Sequence, residues 1–537
     1  MPDSITPLTR LMGMETEYAF LYKPTDPAHP SKRFLAQILE ETLVERLGGA
    51  HATEGYFLGN GGAVSFEHGT GAGASGLFEM ATPECSGPAQ LLLYQTAQHR
   101  ILESILPQVE QRLAEGFEYS GEFGLIKNCK DAEGEVYGVQ ENYQTTARRG
   151  WRLALLRLLV VPLALLSILP IVTHWTIWKL LDFFVEFFEM PTQNLQRMGE
   201  AINDSCIRLA IHMGRPLNYL FERTTFLEVK RLATAFLVSR TIVIGAGTLN
   251  PDGTYEISER ASSITTANED FSNRKSRPLF KTGNLVTQAW DVFLSFSGFA
   301  TLFQPKARLQ LGSSEANLCA RAEYLKLGTT CLLLDMIESG FLTEAPQLSD
   351  PVTAIKAVSA DLTMQKALEL QDGSQATALE IQRWYHRRAS QFLGQHPTPS
   401  LEGAHLLKLW GETLDHLEKD PAKLFGALDW VTKKVLISES GEAPIEVKKK
   451  IDLKYHQIGS GYQRVLERGK FVEELLCEDD IIRAMDEPPQ ETPALARSRA
   501  IHRLAGTDAV FSWNRATVGK LFGRNVIPFS SRREGGP

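Results

Sequence analysis

Several features of small secreted and zinc-bound proteins are missing from this sequence of 537 residues. It has only six cysteines, and no two of them form a CxxC pair. A structural zinc site and a disulfide framework are therefore both unexpected. The first residues also lack the apolar core of a secretory signal peptide. We expect reduced cysteines and a cytoplasmic protein.

Clustered positive charge is missing as well. The formal net charge is -8, and no arginine-rich patch is interleaved with aromatic residues. Because nucleic-acid-binding surfaces need such patches, we expect no nucleic-acid partner. What is present is ordinary for a globular enzyme, with 43% hydrophobic and 22% charged residues. The length is sufficient for more than one domain.

Hydrophobic periodicity predicts a mixture of strands and helices, and therefore an α+β fold. Strands are predicted from Gly13 to Tyr22 and, interrupted by glycines, from Tyr56 to Glu67. Helices are predicted from Lys32 to Leu47 and from Ser86, as N-cap, to about Gly116. Further helical spacing covers residues 229–243, 317–339, 351–360, 374–394, 401–418 and 422–437. The more polar end of the chain, 466–537, is predicted to form a small C-terminal domain after a main domain at 1–465.

Five glutamates lie on three short segments and are the first chemical signal in the chain. They are Glu15 and Glu17 in METEY, Glu67 in SFEHG, and Glu79 and Glu84 in FEMATPEC. Residues two apart on a strand project from the same face, so Glu15 and Glu17 would share one face. If the three segments converge, their oxygens form the kind of site that Mg²⁺ prefers. Taken alone, alternating glutamates on a strand are more often a solvated face.

Longer blocks of sequence resemble one enzyme family. These blocks are METEY, NGG…E…E.ATPEC, NCKD…YG..ENY and YLKLGTTCLLLDMIESG, and VSRTIVIGAG, ISERASS and LDWVTKK continue the match. Together and in this order they resemble the Pup ligases and depupylases (proteasome accessory factor A-like) of the carboxylate–amine ligase superfamily. The resemblance covers most of the chain outside residues 148–225. It implies a glutamine-synthetase-like catalytic domain.

The resemblance implies an ATP- and Mg²⁺-dependent reaction. A ligase of this family activates a glutamyl side-chain carboxylate of Pup, or of a Pup-like small protein, as an acyl phosphate and joins it to a protein lysine amine. Depupylases hydrolyse that bond, or deamidate a terminal glutamine, in the same fold. The short stretch between Lys23 and Tyr56 leaves little room for the long loop of the depupylase branch and favours the ligase. A third alternative is a degenerate, membrane-associated scaffold without catalysis.

The resemblance also implies roles for individual residues. Glu15 and Glu79 correspond to Mg²⁺ ligands, and Glu17, on the same predicted strand as Glu15, is a third candidate metal ligand. Thr82 and Trp513 correspond to ATP contacts, and Glu67 to the catalytic carboxylate. Arg260 and Arg277 are candidates for phosphate contacts, because a guanidinium binds such groups bidentately. A structural ion pair is the alternative role for Arg260 and Arg277. Arg274 is a further candidate, for which the structural role is the favoured interpretation.

Four positions depart from the family pattern. Glu67 stands where relatives have aspartate, and its extra methylene moves the carboxylate by about 1.5 Å. Ala63 replaces an ATP-contacting arginine, Ser65 a tyrosine, and Gln140 a histidine. The loop after Glu67 is glycine-rich (HGTGAGASG). It either approaches phosphates with its backbone N–H groups or is a flexible insertion.

One apolar run has no counterpart in the resemblance. Residues 158–178 (LLVVPLALLSILPIVTHWTIW) match the length of about 20 residues that spans a bilayer. The run lies in a predicted apolar helical insertion at 148–225, and family-like sequence on both sides requires the chain to return. We expect 153–189 to form a membrane-inserted hairpin or an interfacial helix on the inner face of the membrane. The alternative is a helix pair buried against a partner or second subunit.

Overall fold

The structure, a computed structural model, describes most of the chain outside the predicted insertion. The described residues are 6–22, 30–67, 76–117, 119, 122–130, 136–146, 158, 172–173, 176, 179, 226–268, 276–281, 306–396, 400–519 and 525–529. Apart from isolated positions, the insertion at 148–225 lies outside them, as do the glycine-rich loop and Arg274. Over the part of the chain that is described, no helix has both the length and the apolar character to cross a membrane. The membrane or partner surface at 153–189 stays a prediction.

The described chain contains runs of strands and runs of helices. The strands are β1 (Leu11–Tyr22), β2 (Gly49–His51), β3 (Tyr56–Leu58), β4 (Ala63–Glu67), β5 (Leu77–Ala81), β6 (Cys85–Ser86), β7 (Phe123–Ile126), β8 (Val139–Thr146), β9 (Thr248–Leu249), β10 (Tyr255–Glu256), β11 (Thr266–Asn268), β12 (Pro278–Lys281), β13 (Lys306–Leu311), β14 (Leu368–Glu369), β15 (Gln375–Ala376), β16 (Val510–Phe511), β17 (Arg515–Val518) and β18 (Asn525–Pro528). The predicted α+β class is confirmed.

The helices lie close to their predicted positions. They are α1 (Lys32–Leu47), α2 (Pro88–Phe117), α3 (Leu227–Ser239), α4 (Thr241–Ile244), α5 (Ala320–Glu338), α6 (Pro351–Ala360), α7 (Ala378–Gln395), α8 (Leu401–Lys419), α9 (Asp429–Glu439), α10 (Ile445–Tyr455), α11 (Tyr462–Arg468), α12 (Glu478–Asp486) and α13 (Pro493–Arg503). The helix predicted at 422–437 begins later, at Asp429, because a separate 3₁₀ turn occupies Pro421–Leu424. The strand predicted at 56–67 is divided into β3 and β4 by a turn in which Gly61 has φ +89°.

The chain separates into two compact units. The first contains Met1–Tyr143, Leu232–Ser263 and Ser313–Pro537, and the second contains Gln144–Arg231 and Ile264–Gly312. The proposed boundary between 1–465 and 466–537 falls inside the first unit and stays a prediction. In the second unit, β12 pairs with β11 in parallel and with β13 in antiparallel orientation.

The first unit is built on an antiparallel sheet in the order β8–β1–β5–β4–β3–β2, and β6 and β7 also pair with β1. Side chains alternate across the sheet with a period of two. Val64 and Phe66 of β4 are therefore buried on one face, where they pack with apolar side chains of α1 and α2. Ala63, Ser65 and Glu67 project from the opposite face. The site described below lies on that face.

The C-terminal segment of the first unit adds a small sheet of its own. Strands β16, β17 and β18 pair in that order, all antiparallel. Phe511 and Phe529 of this segment join a hydrophobic cluster with Ile501 of α13 and Phe57 of β3. An additional parallel bridge joins Ala52 to Phe511. These contacts place the C-terminal segment at the edge of the main sheet.

Candidate active site

Three glutamates from three adjacent strands meet on the open face of the main sheet. Glu17 of β1 is the register partner of Glu79 on β5, and Glu79 is also the partner of Ser65 on β4. Glu67 lies two residues beyond Ser65 and therefore on the same face. The carboxylates of Glu17, Glu67 and Glu79 each bring one oxygen within 4.8 Å of the others. We call this group the acidic triad.

The acidic triad has the chemistry of a divalent cation site. Three carboxylates so close together repel one another unless a cation lies between them, and Mg²⁺ prefers carboxylate oxygens. Glu17 is buried, Glu79 is partly buried and Glu67 is exposed. The site is therefore buried at one end and open at the other, where waters and substrate oxygens would complete the coordination of a bound magnesium ion.

The deepest carboxylate of the acidic triad is held by two donors on β8 and its preceding turn. The backbone N–H of Gly138 donates to Glu17 Oε2 at 2.7 Å, and Gln140 Nε2 donates to Oε1 at 3.2 Å. Gly138 has φ +126°, and a Cβ there would lie 2.5 Å from the Cys129 sulfur. Only glycine can therefore present its N–H in this place. Gln140, one of the departures from the family pattern, orients Glu17.

A cavity of about 230 Å³ adjoins the acidic triad. It is lined by Glu15, Ala52, Thr53, Glu54, Phe57, Ala63, Val64, Ser65, Glu79, Ala81, Phe511, Ser512 and Trp513. Glu79 belongs both to this lining and to the acidic triad. Glu15 faces the cavity and is not one of the three grouped carboxylates. The predicted metal residues are thus brought together on one face, with Glu67 beside Glu17 and Glu79, and Glu15 two residues before Glu17 on β1.

Trp513 forms an aromatic wall of the cavity. Its ring meets Phe57 edge to face, with centroids 5.0 Å apart, and it remains 38% exposed. The guanidinium of Arg497 lies 4.7 Å from the centroid of the Trp513 ring and 5.0 Å from that of Phe57. An exposed aromatic face beside a cavity is suited to stacking a nucleotide base.

Arg497 packs against the Phe57 and Trp513 rings and fixes the position of this wall. It is fully buried, forms a bidentate ion pair with Glu84, and donates to the carbonyl oxygens of Trp513 (2.8 Å) and Gly61 (2.7 Å). Glu84 is one of the five glutamates that the sequence singles out, whereas Arg497 belongs to no motif. Its partner is 413 positions away, so no local pattern identifies it.

Two predicted ATP contacts of the first unit lie away from the cavity lining. Thr82 is buried, and its Oγ1 accepts a hydrogen bond from the backbone N–H of Met14 at 3.0 Å, which fixes β1 next to Glu15. Arg260 is buried and donates from Nη1 to the carbonyl of Val139 at 3.2 Å. Thr82 thus supports the strand that carries Glu15 and Glu17, and Arg260 supports the first residue of β8, the strand that pairs with it. Their contacts with ATP stay predictions.

The third predicted ATP contact, Arg277, belongs to the second unit. Its backbone N–H donates to Thr265 Oγ1 at 2.9 Å. It is half-buried next to strand β12. Its proposed contact with phosphate stays a prediction.

A second group of possible metal ligands in the first unit has a structural role instead. Cys129, Glu259 and Glu315 are buried with ligand atoms within 4.8 Å. Glu259 Oε1 already contacts Lys433 Nζ at 3.2 Å and His456 Nε2 at 3.3 Å, and Glu315 accepts the N–H of Glu259 at 3.2 Å. Burial raises the pKa of Glu315 to about 7 and that of Cys129 to about 12. A thiol that stays protonated is a poor metal ligand.

Comparison with known proteins agrees with this architecture. The sequence model of the family described as Pup-ligase protein matches residues 10–517. The chain belongs to the Pup-ligase protein family. It is 28% identical over 542 residues to the Pup–protein ligase of Mycobacteroides abscessus, covering 97% of each chain. The Pup–protein ligase of Mycobacterium leprae is also 28% identical, over 532 residues, covering 96% of this chain and 95% of the relative.

Two solved structures share the fold. The complex between the prokaryotic ubiquitin-like protein Pup and its ligase PafA matches with a TM-score of 0.69 and 24% identity, covering 98% of this chain and 91% of that one. The Pup ligase PafA in complex with ADP matches with a TM-score of 0.64 and 23% identity, covering 96% and 93%. The predicted family, fold class and assignment as a ligase enzyme are confirmed.

Proposed function

We propose that this chain is an ATP- and Mg²⁺-dependent ligase that joins a glutamyl side-chain carboxylate of Pup, or of a Pup-like small protein, to a protein lysine amine. The observation that carries the proposal is the acidic triad beside an aromatic-walled cavity, with Glu79 common to both. Relatives of nearly the same length are named Pup–protein ligases. One neighbour of the same fold is in complex with Pup and another with ADP.

The residues of the site fit both groups that the reaction needs. Glu17, Glu67 and Glu79 would hold Mg²⁺, which supplies positive charge that offsets the charge of transferring phosphates. Glu15 faces the cavity and completes the set of predicted ligands. Trp513, supported by Phe57, would stack the adenine of ATP. Thr82 holds β1, which carries Glu15 and Glu17, and Arg260 holds β8, the neighbouring strand that positions Glu17 through Gln140.

The reaction then follows from ordinary carboxylate chemistry. An oxygen of the acceptor carboxylate attacks the γ-phosphorus of ATP, the bond to the bridging oxygen breaks, and ADP leaves. The lysine nitrogen attacks the resulting acyl carbon, and inorganic phosphate leaves with the bonding pair. The nitrogen loses its extra proton to a carboxylate base, and we assign this role to the second oxygen of Glu67, since the acidic triad uses only one of its two oxygens. Glu67 is exposed at the end of β4 and therefore accessible to an incoming amine.

The hydrolase alternative is not favoured, because the curated relatives carry the name ligase.

We further propose that residues 1–465, with the insertion at 148–225, form the catalytic domain and 466–537 a small C-terminal domain. A cytoplasmic location is also proposed. Among the described residues, five cysteines are present as free thiols, as in a reducing compartment. Association of the protein with the inner face of the membrane would require the apolar segment 153–189.

Incubating the purified chain with ATP, Mg²⁺, a Pup-like acceptor ending in glutamate and a lysine-bearing protein tests the proposal. We expect ADP release together with a mass increase of the lysine-bearing protein. Glu79→Gln should lower the rate about 100-fold or more, because it removes a carboxylate of the acidic triad. Glu110→Gln, an exposed glutamate on α2, is the matched control.

The other outcomes separate the alternatives. Cleavage of an isopeptide bond without net ADP release would support the hydrolase. No binding of ATP or ADP in direct titration, with a folded chain, would indicate a non-catalytic scaffold and refute both enzymatic functions.

A further inference from the structure

The backbone of Gly138 holds Glu17 at two points. Its N–H donates to Glu17 Oε2 at 2.7 Å, and its carbonyl oxygen accepts the backbone N–H of Glu17 at 3.3 Å. Glu17 is the buried carboxylate of the acidic triad, and together with Gln140 these contacts set its orientation. Whatever fixes the position of Gly138 therefore also fixes the deep end of the acidic triad.

Cys129 packs directly against Gly138. Its sulfur lies 2.5 Å from the position that a Cβ on Gly138 would occupy, and its carbonyl oxygen accepts the N–H of Tyr137 at 3.1 Å. Burial raises the pKa of the Cys129 thiol to about 12, so the side chain acts by packing and stays uncharged. Because interiors are close-packed, a shift of Cys129 would move Gly138 with it.

The carboxylate of Glu259 holds Cys129 in turn. Glu259 Oε2 accepts the backbone N–H of Cys129, and Oε1 contacts Lys433 Nζ at 3.2 Å and His456 Nε2 at 3.3 Å. Burial opposes ionisation of Glu259, but Lys433 and His456 outweigh it and hold its pKa below the ordinary value. A charged acceptor forms a stronger hydrogen bond with a backbone N–H than a neutral one does. All these residues belong to the first unit.

The backbone of Glu259 is itself fixed by Glu315. Glu315 Oε2 accepts the N–H groups of Glu259 at 3.2 Å and of Ala246 at 3.3 Å, and Oε1 accepts the hydroxyl of Ser258. The main chain at Glu259 therefore cannot follow a shorter side chain toward Cys129. The length of the Glu259 side chain decides whether its carboxylate reaches the Cys129 N–H.

We propose that Glu259 is a positioning residue of the ligase, which places the metal-binding carboxylate of Glu17 through Cys129 and Gly138. The proposal rests on the metal site of the proposed function and adds a residue that contacts neither metal nor substrate. Its action depends on the reach of the side chain, and its contribution to stability depends on its charge next to Lys433. These two properties can be changed separately.

Glu259→Asp and Glu259→Gln separate reach from charge. Aspartate keeps the negative charge but withdraws it by about 1.5 Å from the Cys129 N–H. Glutamine keeps the length, and its amide oxygen can accept that N–H, but Lys433 loses a charged partner in a buried place. We expect Glu259→Asp to weaken binding of Mn²⁺, the probe for the metal site, about tenfold, and Glu259→Gln to weaken it at most about threefold. Stability should show the opposite order, with Glu259→Gln the less stable.

Three measurements on the full chain without nucleotide follow these effects. Electron paramagnetic resonance gives the Kd for Mn²⁺, urea denaturation gives the stability, and hydrogen exchange by mass spectrometry gives the protection of residues 136–140. We expect faster exchange of this segment in Glu259→Asp than in Glu259→Gln, because the segment contains the N–H of Gly138. Asp335→Asn is the matched control, since Asp335 is a buried carboxylate paired with Arg10 at 2.6 Å. It should lower stability and leave the Mn²⁺ affinity unchanged.

The order of the two variants decides the proposal. If the Mn²⁺ affinity follows stability, so that Glu259→Gln binds more weakly than Glu259→Asp, Glu259 only stabilises the fold and the positioning role is overturned. Parent-like Mn²⁺ affinity in Glu259→Asp would overturn it as well, with the metal site intact. A folded parent that binds no Mn²⁺ would refute the metal site of the proposed function, and this proposal with it.

Discussion

The side chain of Glu67 is one methylene longer than the aspartate expected at this position, and this length affects where its carboxylate lies. Relatives are expected to have aspartate here, and the sequence alone suggested that the longer side chain displaces the charge. In the structure an oxygen of Glu67 reaches within 4.8 Å of the oxygens of Glu17 and Glu79. The extra length therefore brings the carboxylate into the acidic triad. This geometry indicates a site organised around glutamate.

We expect Glu67→Asp to lower the ligation rate about 100-fold, because withdrawing the carboxylate by about 1.5 Å opens the acidic triad. Initial rates of ADP release over a series of Mg²⁺ concentrations measure the effect, and the Mg²⁺ requirement should rise as well. Glu110→Asp on the exposed face of α2 serves as the control for the same chemical change. A faster Glu67→Asp enzyme would mean that the longer side chain is a defect.

Arg497 is the residue that the sequence could not identify. It lies in a polar segment without any motif, and its role depends on Glu84, Gly61 and Trp513. These groups meet only after the C-terminal segment has packed against the main sheet. The aromatic wall of the cavity is therefore a product of tertiary packing, although Trp513 itself was predicted from the resemblance.

Among the single elements, the turn between β2 and β3 forms one border of the cavity. Ala52, Thr53 and Glu54 of this turn line the cavity, and Gly55 closes it with φ +72°. A Cβ on Gly55 would lie 1.9 Å from the carbonyl oxygen of Val64. The turn therefore packs closely against β4, next to the cavity-lining residues Ala63 and Ser65.

Replacing Gly55 with alanine should therefore reduce stability and nucleotide affinity together. We expect a loss of about 2–4 kcal/mol in unfolding free energy, from the left-handed backbone and from the contact with Val64. Gly373→Ala is the matched control, since Gly373 has φ +83° but no atom near its Cβ position. Urea denaturation and ADP titration measure both effects. Equal losses of stability in the two variants would show that the contact with Val64 is relieved easily.

The predicted apolar insertion is a single element that follows from the sequence. Its apolar run at 158–178 follows from the sequence, and the position of 153–189 lies outside the described residues. The two alternatives, a membrane-associated hairpin and a helix pair against a partner, both stay predictions. The main sheet and the acidic triad belong to the first unit, which does not contain this segment.

Across the first unit, a buried charge network joins parts of the chain that are far apart. Lys433 of α9 contacts Asp452 of α10 at 2.7 Å and Glu259 at 3.2 Å. Asp452 also accepts from Lys449 at 2.9 Å and from the N–H of Leu249 at 3.0 Å. Burial opposes ionisation of Asp452, but Lys433 and Lys449 outweigh it and lower its pKa to about 2. The folded chain thus keeps this carboxylate charged.

The depressed pKa predicts how stability depends on pH. With an ordinary pKa of 3.8 when unfolded and about 2 when folded, Asp452 contributes stability above the first value, which is lost as the pH falls toward the second. The contribution is about 2 kcal/mol. Glu315, whose pKa is raised from 4.5 to about 7, is protonated in the folded chain at this acidity and mostly protonated when unfolded, so it adds little slope.

Urea denaturation between about pH 4 and about pH 2 checks this expectation. The unfolding free energy of the parent should fall over this range, and that of Asp452→Asn should fall less steeply. Asp479→Asn, an exposed aspartate on α12, should keep the slope of the parent. If Asp452→Asn and the parent have the same slope, other carboxylates cause the acid sensitivity.

The sequence by itself determined the family, the α+β class and the positions of the glutamate-bearing strands. These properties depend on local alternation, helical spacing and motif order, which are all readable along the chain. Only the tertiary structure decided that Glu67 joins Glu17 and Glu79, and that Glu15 faces the cavity. Strand register and the packing of the C-terminal segment set these distances. The same long-range contacts made the lining acidic and buried Arg497 against Glu84, because residues far apart in sequence become neighbours only in the folded chain.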